Sequence, residues 1–395
     1  MTRRTPPGPG SRPPIETLLL VMVFVSAWVA LGIMVKPAAL SHDFLALYTG
    51  GSLARDGQFS QLYSLDVQLA RERAIVPRAK VLVPFIRPPF NAALLAPLAL
   101  LDYRTAFLVW NIAQWVVLCA CWWWGWKRFG PDALLWGALS LPAGIGIAHG
   151  QDAPVLLAIM IAGYHLSDRG KQGWAGLVWS LALFKLNLLL GLPLAMIAAR
   201  RWRMLGGFTA GGAALALISL ALGGMQDARN YVAMLTDKRI ERLSPTPEFM
   251  MNLQGIAANL GAPDVTFLVA GVVAVLALLA CALHNAPLWR WFSSALITGM
   301  LLSPHTYGYD ATALLLVIWL VLFESHSAPT RAIAAVFAMP LIPLTTLLGP
   351  PWAAASAIVL VLLLGAMAWD ARWFAEPAYS AALVRKSVSS TERTI

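Results

Sequence analysis

The chain has 395 residues, of which 59% are hydrophobic and only 12% are charged. A soluble domain is about one-quarter charged, so this composition excludes an ordinary water-soluble domain and indicates a helix bundle with an apolar outside. The net charge of +10 does not indicate a nucleic-acid partner, because the basic residues form short clusters between apolar runs.

The first predicted element is a retained signal anchor. Residues 1–16 form a basic, Pro-rich tail that we expect in the cytoplasm, and the apolar run 17–35 is longer than the core of a cleavable signal. About twelve apolar runs approach the roughly 20 residues that a spanning helix needs. They are 17–35, 90–101, 105–126, 134–148, 153–166, 174–199, 204–222, 265–283, 288–302, 311–323, 332–348 and 353–369.

These runs predict an all-α polytopic membrane protein, with about 12 transmembrane helices in one domain at 17–370 and a cytoplasmic tail at 371–395. Two long polar segments, 37–89 and 223–264, interrupt the runs. The first has helical patches that suit helices lying in the membrane interface. The second, which contains Ser244-Pro245-Thr246-Pro247, predicts an irregular loop with short helices.

Two topologies are compatible with this pattern. Strict alternation from a cytoplasmic N-terminus places both long loops outside, but it also exposes the basic clusters at 127–128 and 169–171 on the outside. In the second topology, 90–101 is re-entrant and 174–199 is two short helices that meet at Lys185 and Asn187. Every basic cluster is then inside, as the positive-inside rule requires. We favour the second topology.

Charged residues at apolar runs are the first candidate site residues. A lysine at the centre of a spanning helix costs roughly 2.5–3.5 kcal/mol, so Lys185 either snorkels near a helix end or faces a functional cavity. Asp43, which follows His42 at the start of the first outer loop, is either a helix N-cap or a general base at the membrane surface. Arg87 precedes Pro88-Pro89 and either anchors the interface or binds a phosphate.

Two polar stretches provide further candidates. The first is either a polar turn with an aspartate capping the next helix or a set of sugar ligands, and it contains His149, Gln151 and Asp152. The second lies at a span boundary, where tyrosines often belong to an interfacial belt, and it contains His305, Tyr307, Tyr309 and Asp310.

Several expected signatures do not occur in the sequence. No Asp-x-Asp pair, P-loop or Gly-x-Gly-x-x-Gly motif is present, so ATP and nucleotide-sugar donors have no visible site. Cys119, Cys121 and Cys281 lie within apolar runs and predict neither a disulfide framework nor a metal site. We therefore expect no cofactor.

The remaining signal is a set of weak motifs in a fixed order around the apolar runs. They are Asp43-Phe-Leu-Ala-Leu-Tyr48, Gly57, Leu62-Tyr63, Arg87-Pro-Pro-Phe90, Ala96-Pro97-Leu98, Gly150-Gln151, Ala175-Gly176, Lys185, Arg200-Arg-Trp-Arg203, Ser303-Pro-His305 and Tyr309-Asp310. Over most of the chain this order resembles the bacterial glycosyltransferase family 87.

The resemblance implies a GT-C-like fold and metal-independent transfer of a sugar, typically mannose, from a polyprenyl phosphate donor. The acceptor would be a glycolipid or glycan outside the cytoplasmic (inner) membrane, and Asp43 would be the base. We expect the donor phosphate to contact Lys185, Arg87 and His305. The expected sugar and acceptor ligands are His42, Tyr48, His149, Gln151, Asp152, Tyr307, Tyr309 and Asp310.

The chain departs from the family at two positions. The family tends to have a proline soon after the lysine that matches Lys185 and an aromatic residue before the paired prolines. Here the sequence reads Lys185-Leu-Asn and Ile86-Arg87, which leaves the sugar and the acceptor open. A transporter or lipid flippase is the alternative function, because charged residues and broken helices also line permeation paths. A catalytically inactive scaffold is a third possibility.

Overall fold

The computed structural model describes residues 15, 17, 20–22, 43–77, 81–243, 247–262 and 264–373. Within these ranges the regular secondary structure is helical and no strand occurs, so the predicted all-α class is confirmed. The predicted first span at 17–35 and both predicted tails lie almost wholly outside the described residues.

The helices follow one another with short connections. In chain order they are α1 (Asp43–Arg55), α2 (Leu65–Ile75), α3 (Pro89–Leu95), α4 (Tyr103–Phe129), α5 (Asp132–Ala138), α6 (Leu141–Ala148), α7 (Ala153–Asp168), α8 (Gln172–Ser180), α9 (Gly191–Ala198), α10 (Trp202–Leu235), α11 (Lys238–Leu243), α12 (Leu253–Asn259), α13 (Val265–Ala282), α14 (Leu288–Leu302), α15 (Leu314–Glu324), α16 (Ala328–Ala338), α17 (Leu341–Leu344) and α18 (Ala355–Trp373). Segments of 3₁₀-helix extend or join them at Phe59–Gln61, Ala96–Leu100, Leu181–Leu189, Pro247–Phe249, Gly308–Ala313, Thr345–Leu348 and Trp352–Ala354.

Local sequence sets the ends of the longest helices. The Asp102 side chain accepts hydrogen bonds from the backbone N–H groups of Arg104 and Thr105 and so caps the start of α4. The helix ends at Phe129, and Gly130 follows it with φ of 93°. The Asp264 carboxylate caps α13 in the same way, at 2.6 Å from the Phe267 nitrogen.

Among the described residues, four helical stretches are long and apolar enough to cross a membrane. They are Tyr103–Phe129, Trp202–Leu235, Val265–Ala282 and Trp352–Ala371. Two helix pairs meet the same criterion but are bent, Gln172–Leu189 with Gly191–Ala198 by 104° and Ala328–Ala338 with Leu341–Leu348 by 54°. The count is therefore four to six, compared with about 12 predicted, because many apolar runs form shorter helices.

The centre of the bundle is formed by α14 and α15. The first is buried from Trp289 to Leu301 and the second from Leu314 to Val321. The buried stretch of α15 is apolar on every side, as expected for a central helix. The longer helices α4, α10 and α13 lie around them and expose large apolar side chains such as Leu108, Leu217 and Val273. Such outward faces suit a hydrocarbon environment.

Glycines allow α8 and α10 to approach closely. A Cβ atom on Gly176 would lie 1.9 Å from the Met204 carbonyl oxygen, and one on Gly207 would lie 1.9 Å from the Gly173 carbonyl oxygen. Small residues at such contacts are typical of helix pairs in membranes.

One end of the bundle collects basic residues, and we call it the basic end. Arg128, at the end of α4, forms an ion pair with Glu324 at 2.9 Å and lies 3.7 Å from Asp168. These three residues mark the ends of α4, α7 and α15. Arg201 at the start of α10 lies over the Trp291 ring of α14, 4.5 Å from its centroid. The basic clusters near 128, 169 and 201 therefore share one end.

The opposite end, which we call the polar end, holds α1 and the connections at 149–152, 185 and 303–310. The segment 89–100 starts just after Arg87 and stops at Leu101, whose carbonyl accepts the Tyr48 hydroxyl of α1 at 2.7 Å. It therefore enters and returns at the polar end. The chain also has non-helical angles at Lys185 (φ −120°, ψ 56°). These two local features are compatible with the second predicted topology, which stays a prediction.

The segment 223–264 is more helical than predicted. Instead of an irregular loop from residue 223, α10 continues to Leu235 after a local break at Gly224, which has φ of 75° and ψ of 178°. The short helices α11 and α12 follow, as the sequence predicted. The first polar segment likewise contains helices, α1 and α2.

Candidate active site

Four charged side chains form a buried ion cluster at the polar end. The Arg87 guanidinium donates hydrogen bonds to both carboxylate oxygens of Asp152, one of them at 3.1 Å. The Lys185 ammonium donates to Asp310 at 2.7 Å and lies 3.5 Å from Asp152. All four residues are at most 9% exposed. Two positive and two negative charges compensate one another, which is the condition for burying them.

Each residue of the cluster lies at a break in a helix or in an irregular segment next to one. Lys185 lies at the break within Leu181–Leu189. Asp152 precedes α7 but makes no capping hydrogen bond, so its side chain is used by the cluster instead. Asp310 belongs to Gly308–Ala313, where its second oxygen accepts the Tyr307 N–H at 3.0 Å. Arg87 ends segment 81–87, which has no regular secondary structure, and its guanidinium also lies over the Phe184 ring.

The cations keep Asp152 ionised. Burial alone would raise the pKa of its carboxyl group, but the charges of Arg87 and Lys185 outweigh burial and hold the pKa below its usual value. Gln151 adds a longer contact, with its carbonyl oxygen 3.4 Å from the Arg87 guanidinium. Lys185 and Arg87 are thus neither snorkelling nor anchoring residues; they are ion-paired within the bundle.

A second feature, Asp43 with His149, is more accessible. Asp43 is the first residue of α1, and its carboxylate lies 3.7 Å from Nδ1 of His149. The side chains are 20% and 38% exposed, respectively. Both residues are candidates from the sequence, but their pairing could not be predicted, because they are far apart along the chain.

The turn at Gly150 fixes this pair. Gly150 has φ of +70°, and a Cβ atom there would lie 2.6 Å from the Cβ of Phe44. The Gly150 carbonyl accepts the Trp110 indole N–H at 2.8 Å. Only glycine permits both the backbone angle and this approach to α1, so the turn places His149 against Asp43.

The stretch 303–310 completes the polar end. The rings of His305 and Tyr307 lie edge to face with centroids 4.6 Å apart, and the Tyr309 ring lies 5.3 Å from the Lys185 ammonium. Burial lowers the pKa of His305, while the negative charges of Asp310 and Asp43 act in the opposite direction. The charge of Asp43 therefore acts on the same histidine as the ion cluster.

Asn187 is a contributor that sequence analysis treated only as part of the helix break. Its amide donates to the His305 carbonyl oxygen at 2.5 Å and to the Ser303 hydroxyl at 3.0 Å. The only sequence feature that could have identified Asn187 as a site residue is a polar amide within an apolar run. The bond connects the break that carries Lys185 to the segment that carries His305.

Of the predicted site residues that the structure describes, Tyr48 is not part of this assembly. Tyr48 is buried in α1, and its hydroxyl donates to the Leu101 carbonyl oxygen; its predicted sugar contact has no support from this placement. His42 lies outside the described residues. In the described part of the chain, no group of three or more His, Cys, Asp or Glu residues could hold a metal ion.

Apolar helices around a polar, charged end define a multi-pass membrane protein with a candidate reaction site. The model of glycosyltransferase family 87 matches residues 85–304, more than half of the chain, and the chain belongs to this family. The match includes Arg87, Asp152 and Lys185 but begins after Asp43 and ends before Asp310. Comparison with curated proteins gives no match, and neither does comparison with solved structures.

Proposed function

We propose that this family 87 glycosyltransferase transfers a hexose, such as mannose, from a polyprenyl phosphate to a glycolipid or glycan acceptor. The observation that carries the proposal is an accessible carboxylate, Asp43, at the same end of the bundle as Lys185, Arg87 and His305. A donor with its lipid in the bilayer would present its sugar and phosphate at this end. The GT-C-like arrangement of about 12 crossings belongs to the same proposal.

Asp43 is the general base in this mechanism. It accepts the proton of an acceptor hydroxyl while the hydroxyl oxygen attacks the anomeric carbon. The bond from that carbon to the donor phosphate breaks, and the lipid phosphate leaves with the bonding electrons. One direct displacement inverts the anomeric centre through an oxocarbenium-like transition state. His149, 3.7 Å from Asp43, orients the carboxylate.

Lys185 and Arg87 stabilise the leaving phosphate. Negative charge grows on the phosphate as the bond breaks, so nearby cations bind the transition state more strongly than the ground state. Because burial lowers the pKa of His305, its imidazole is neutral at neutral pH and serves as a hydrogen-bond donor. No metal is required in this mechanism.

Asp152 and Asp310 hold the two cations in place before the donor arrives. Since their oxygens are occupied by Arg87 and Lys185, the donor phosphate competes with them for the same N–H groups. Contacts of Asp152 or Asp310 to sugar hydroxyls would use their remaining lone pairs. Gln151, Tyr307 and Tyr309 are the neighbouring candidates for orienting the sugar.

The polar end faces outward across the cytoplasmic membrane in this proposal. Its support is the collection of the basic clusters at the other end, which the positive-inside rule assigns to the cytoplasm. Helices α1 and α2 then lie at the outer interface. In a cysteine-free variant, Ser60→Cys, exposed beside α1, should react with an impermeant maleimide on intact cells, whereas Lys171→Cys should react only after permeabilisation. The reverse pattern would contradict the orientation.

The reaction itself is tested with purified protein and radiolabelled polyprenyl phosphate mannose. Wild-type protein in liposomes should consume the donor and release polyprenyl phosphate when a membrane glycolipid extract supplies the acceptor. A flippase would move the donor between leaflets without consuming it, and an inactive scaffold would do neither. Either result, with the other common hexose donors also unconsumed, would overturn the proposal.

A further inference from the structure

Three buried side chains contact segment 81–87, which has no regular secondary structure and ends at Arg87. The Tyr63 hydroxyl donates to the Arg87 carbonyl oxygen at 2.9 Å. Gln68 accepts the Phe85 N–H at 2.8 Å and lies within 3.3 Å of the Phe85 carbonyl oxygen, to which its amide donates. Glu72 accepts the Val83 N–H at 3.2 Å. Tyr63, Gln68 and Glu72 therefore form one set of contacts, which we call the side-chain ladder.

The ladder imitates the edge of a sheet. Polar backbone groups of alternate residues in an extended chain point to the same side, and the ladder contacts residues 83, 85 and 87. Gln68 and Glu72 lie one turn apart on α2, so one helical face meets successive positions of the segment. No strand accompanies this segment within the described residues.

The other side of the segment is fixed as well. The Phe85 side chain is only 1% exposed, and a Cβ atom on Gly50 of α1 would collide with its ring. The segment is thus held by backbone contacts on the α2 side and by a buried ring on the α1 side. Its register cannot change by one residue without breaking both sets of contacts, because such a step reverses the direction of every side chain.

We propose that Tyr63, Gln68 and Glu72 are positioning residues that set the register of residues 83–87 and thereby hold the Arg87 guanidinium against Asp152. This inference rests on the proposed function, because it gives Arg87 a task at the donor phosphate. One residue of register corresponds to about 3.3 Å. Such a shift exceeds the tolerance of the two-pronged contact between Arg87 and Asp152.

Tyr63→Phe is the sharpest test, and Tyr231→Phe is its matched control. The two rings are in contact, with centroids 5.0 Å apart, but only the Tyr63 hydroxyl bonds to Arg87. Tyr63→Phe should lower kcat/KM for polyprenyl phosphate mannose about five- to tenfold, as expected for one lost hydrogen bond. Tyr231→Phe should leave kcat/KM unchanged, and both variants should melt within about 2 °C of the wild type. Equal kcat/KM values in the two variants would overturn the proposal.

Glu72 allows rescue by a conservative change. Glu72→Gln keeps an oxygen that accepts the Val83 N–H, whereas Glu72→Leu removes it while preserving a side chain of similar size. Turnover near the wild-type value in Glu72→Gln, with reduced turnover in Glu72→Leu, is the expected result. Equal impairment of both variants would contradict a positioning role.

Hydrogen exchange tests the ladder without relying on activity. Gln68→Leu should accelerate amide exchange at Phe85 and Val83 at least tenfold relative to the wild type, because the bond to Phe85 is lost and that to Val83 is loosened. Unchanged exchange would overturn the ladder itself. If exchange is accelerated in Gln68→Leu but the wild-type protein consumes no donor, the ladder stands and the proposed function fails.

Discussion

Asp152→Asn probes the ion cluster most directly. The wild-type carboxylate is 4% exposed and serves both Arg87 and Lys185. Removing one charge from a buried pair costs about 3–5 kcal/mol. Because asparagine retains one acceptor oxygen, we expect Asp152→Asn to lower the free energy of unfolding by about 3 kcal/mol. For a domain of this length the loss corresponds to a melting temperature lower by about 4 °C. Circular dichroism of the purified protein in detergent measures it.

Asp168→Asn is the control for this change. The same substitution at the basic end removes a contact of 3.7 Å to Arg128, where the two side chains are 43% and 40% exposed. Exposed pairs contribute about 0–1 kcal/mol, so the melting temperature should shift by about 1 °C or less. Combining Asp152→Asn with Arg87→Met should cost less than the sum of the single changes, by roughly 1–3 kcal/mol. Equal effects of Asp152→Asn and Asp168→Asn would refute the buried cluster.

Two further predictions concern the turn at Gly150 and the acid on α2. Gly150→Ala should lower donor turnover and the melting temperature more than Gly170→Ala. The two glycines have similar φ angles, +70° and +76°, but only at Gly150 would the added Cβ atom also meet Phe44. Equal losses in the two variants would argue against the close approach to Phe44. Burial raises the pKa of Glu72 from 4.5 to about 7, so its contribution to the free energy of unfolding is present below about pH 4.5 and lost as the pH rises towards 7. Melting scans should show that the loss of stability between pH 4.5 and 7 is smaller in Glu72→Gln than in the wild type. Asp66→Asn, on the exposed face of α2, should not change this loss. An unchanged loss in Glu72→Gln would contradict the raised pKa of Glu72.

Sequence alone predicted the features that depend on the free-energy cost of placing a charged residue in an apolar run. A lysine in an apolar run is expensive in a straight helix, and the backbone does break at Lys185. The composition likewise required helices and excluded a soluble core. Prediction was weaker where local signals conflict: residues after Gly224 are polar, yet α10 continues to Leu235, because the polar residues there do not prevent helix formation.

The pairings within the site could not be predicted from sequence. Arg87 and Asp152 are 65 positions apart, and Lys185 and Asp310 are 125 positions apart, so only the packed bundle brings them together. The residues were identified as costly or unusual, but their partners depend on which helix ends meet. The role of Gly150 in holding His149 against Asp43 was hidden for the same reason.

The proposed mechanism requires Asp43 to accept a proton from the acceptor during sugar transfer. Asp43→Asn removes the base but keeps the size of the side chain, and Asp56→Asn changes an exposed acid just beyond the same helix. In liposomes with labelled polyprenyl phosphate sugar and acceptor, Asp43→Asn should lose about 10²–10⁴-fold in transfer rate, while its melting temperature and the activity of Asp56→Asn stay at wild-type values. Transfer by Asp43→Asn at the wild-type rate would exclude Asp43 as the base.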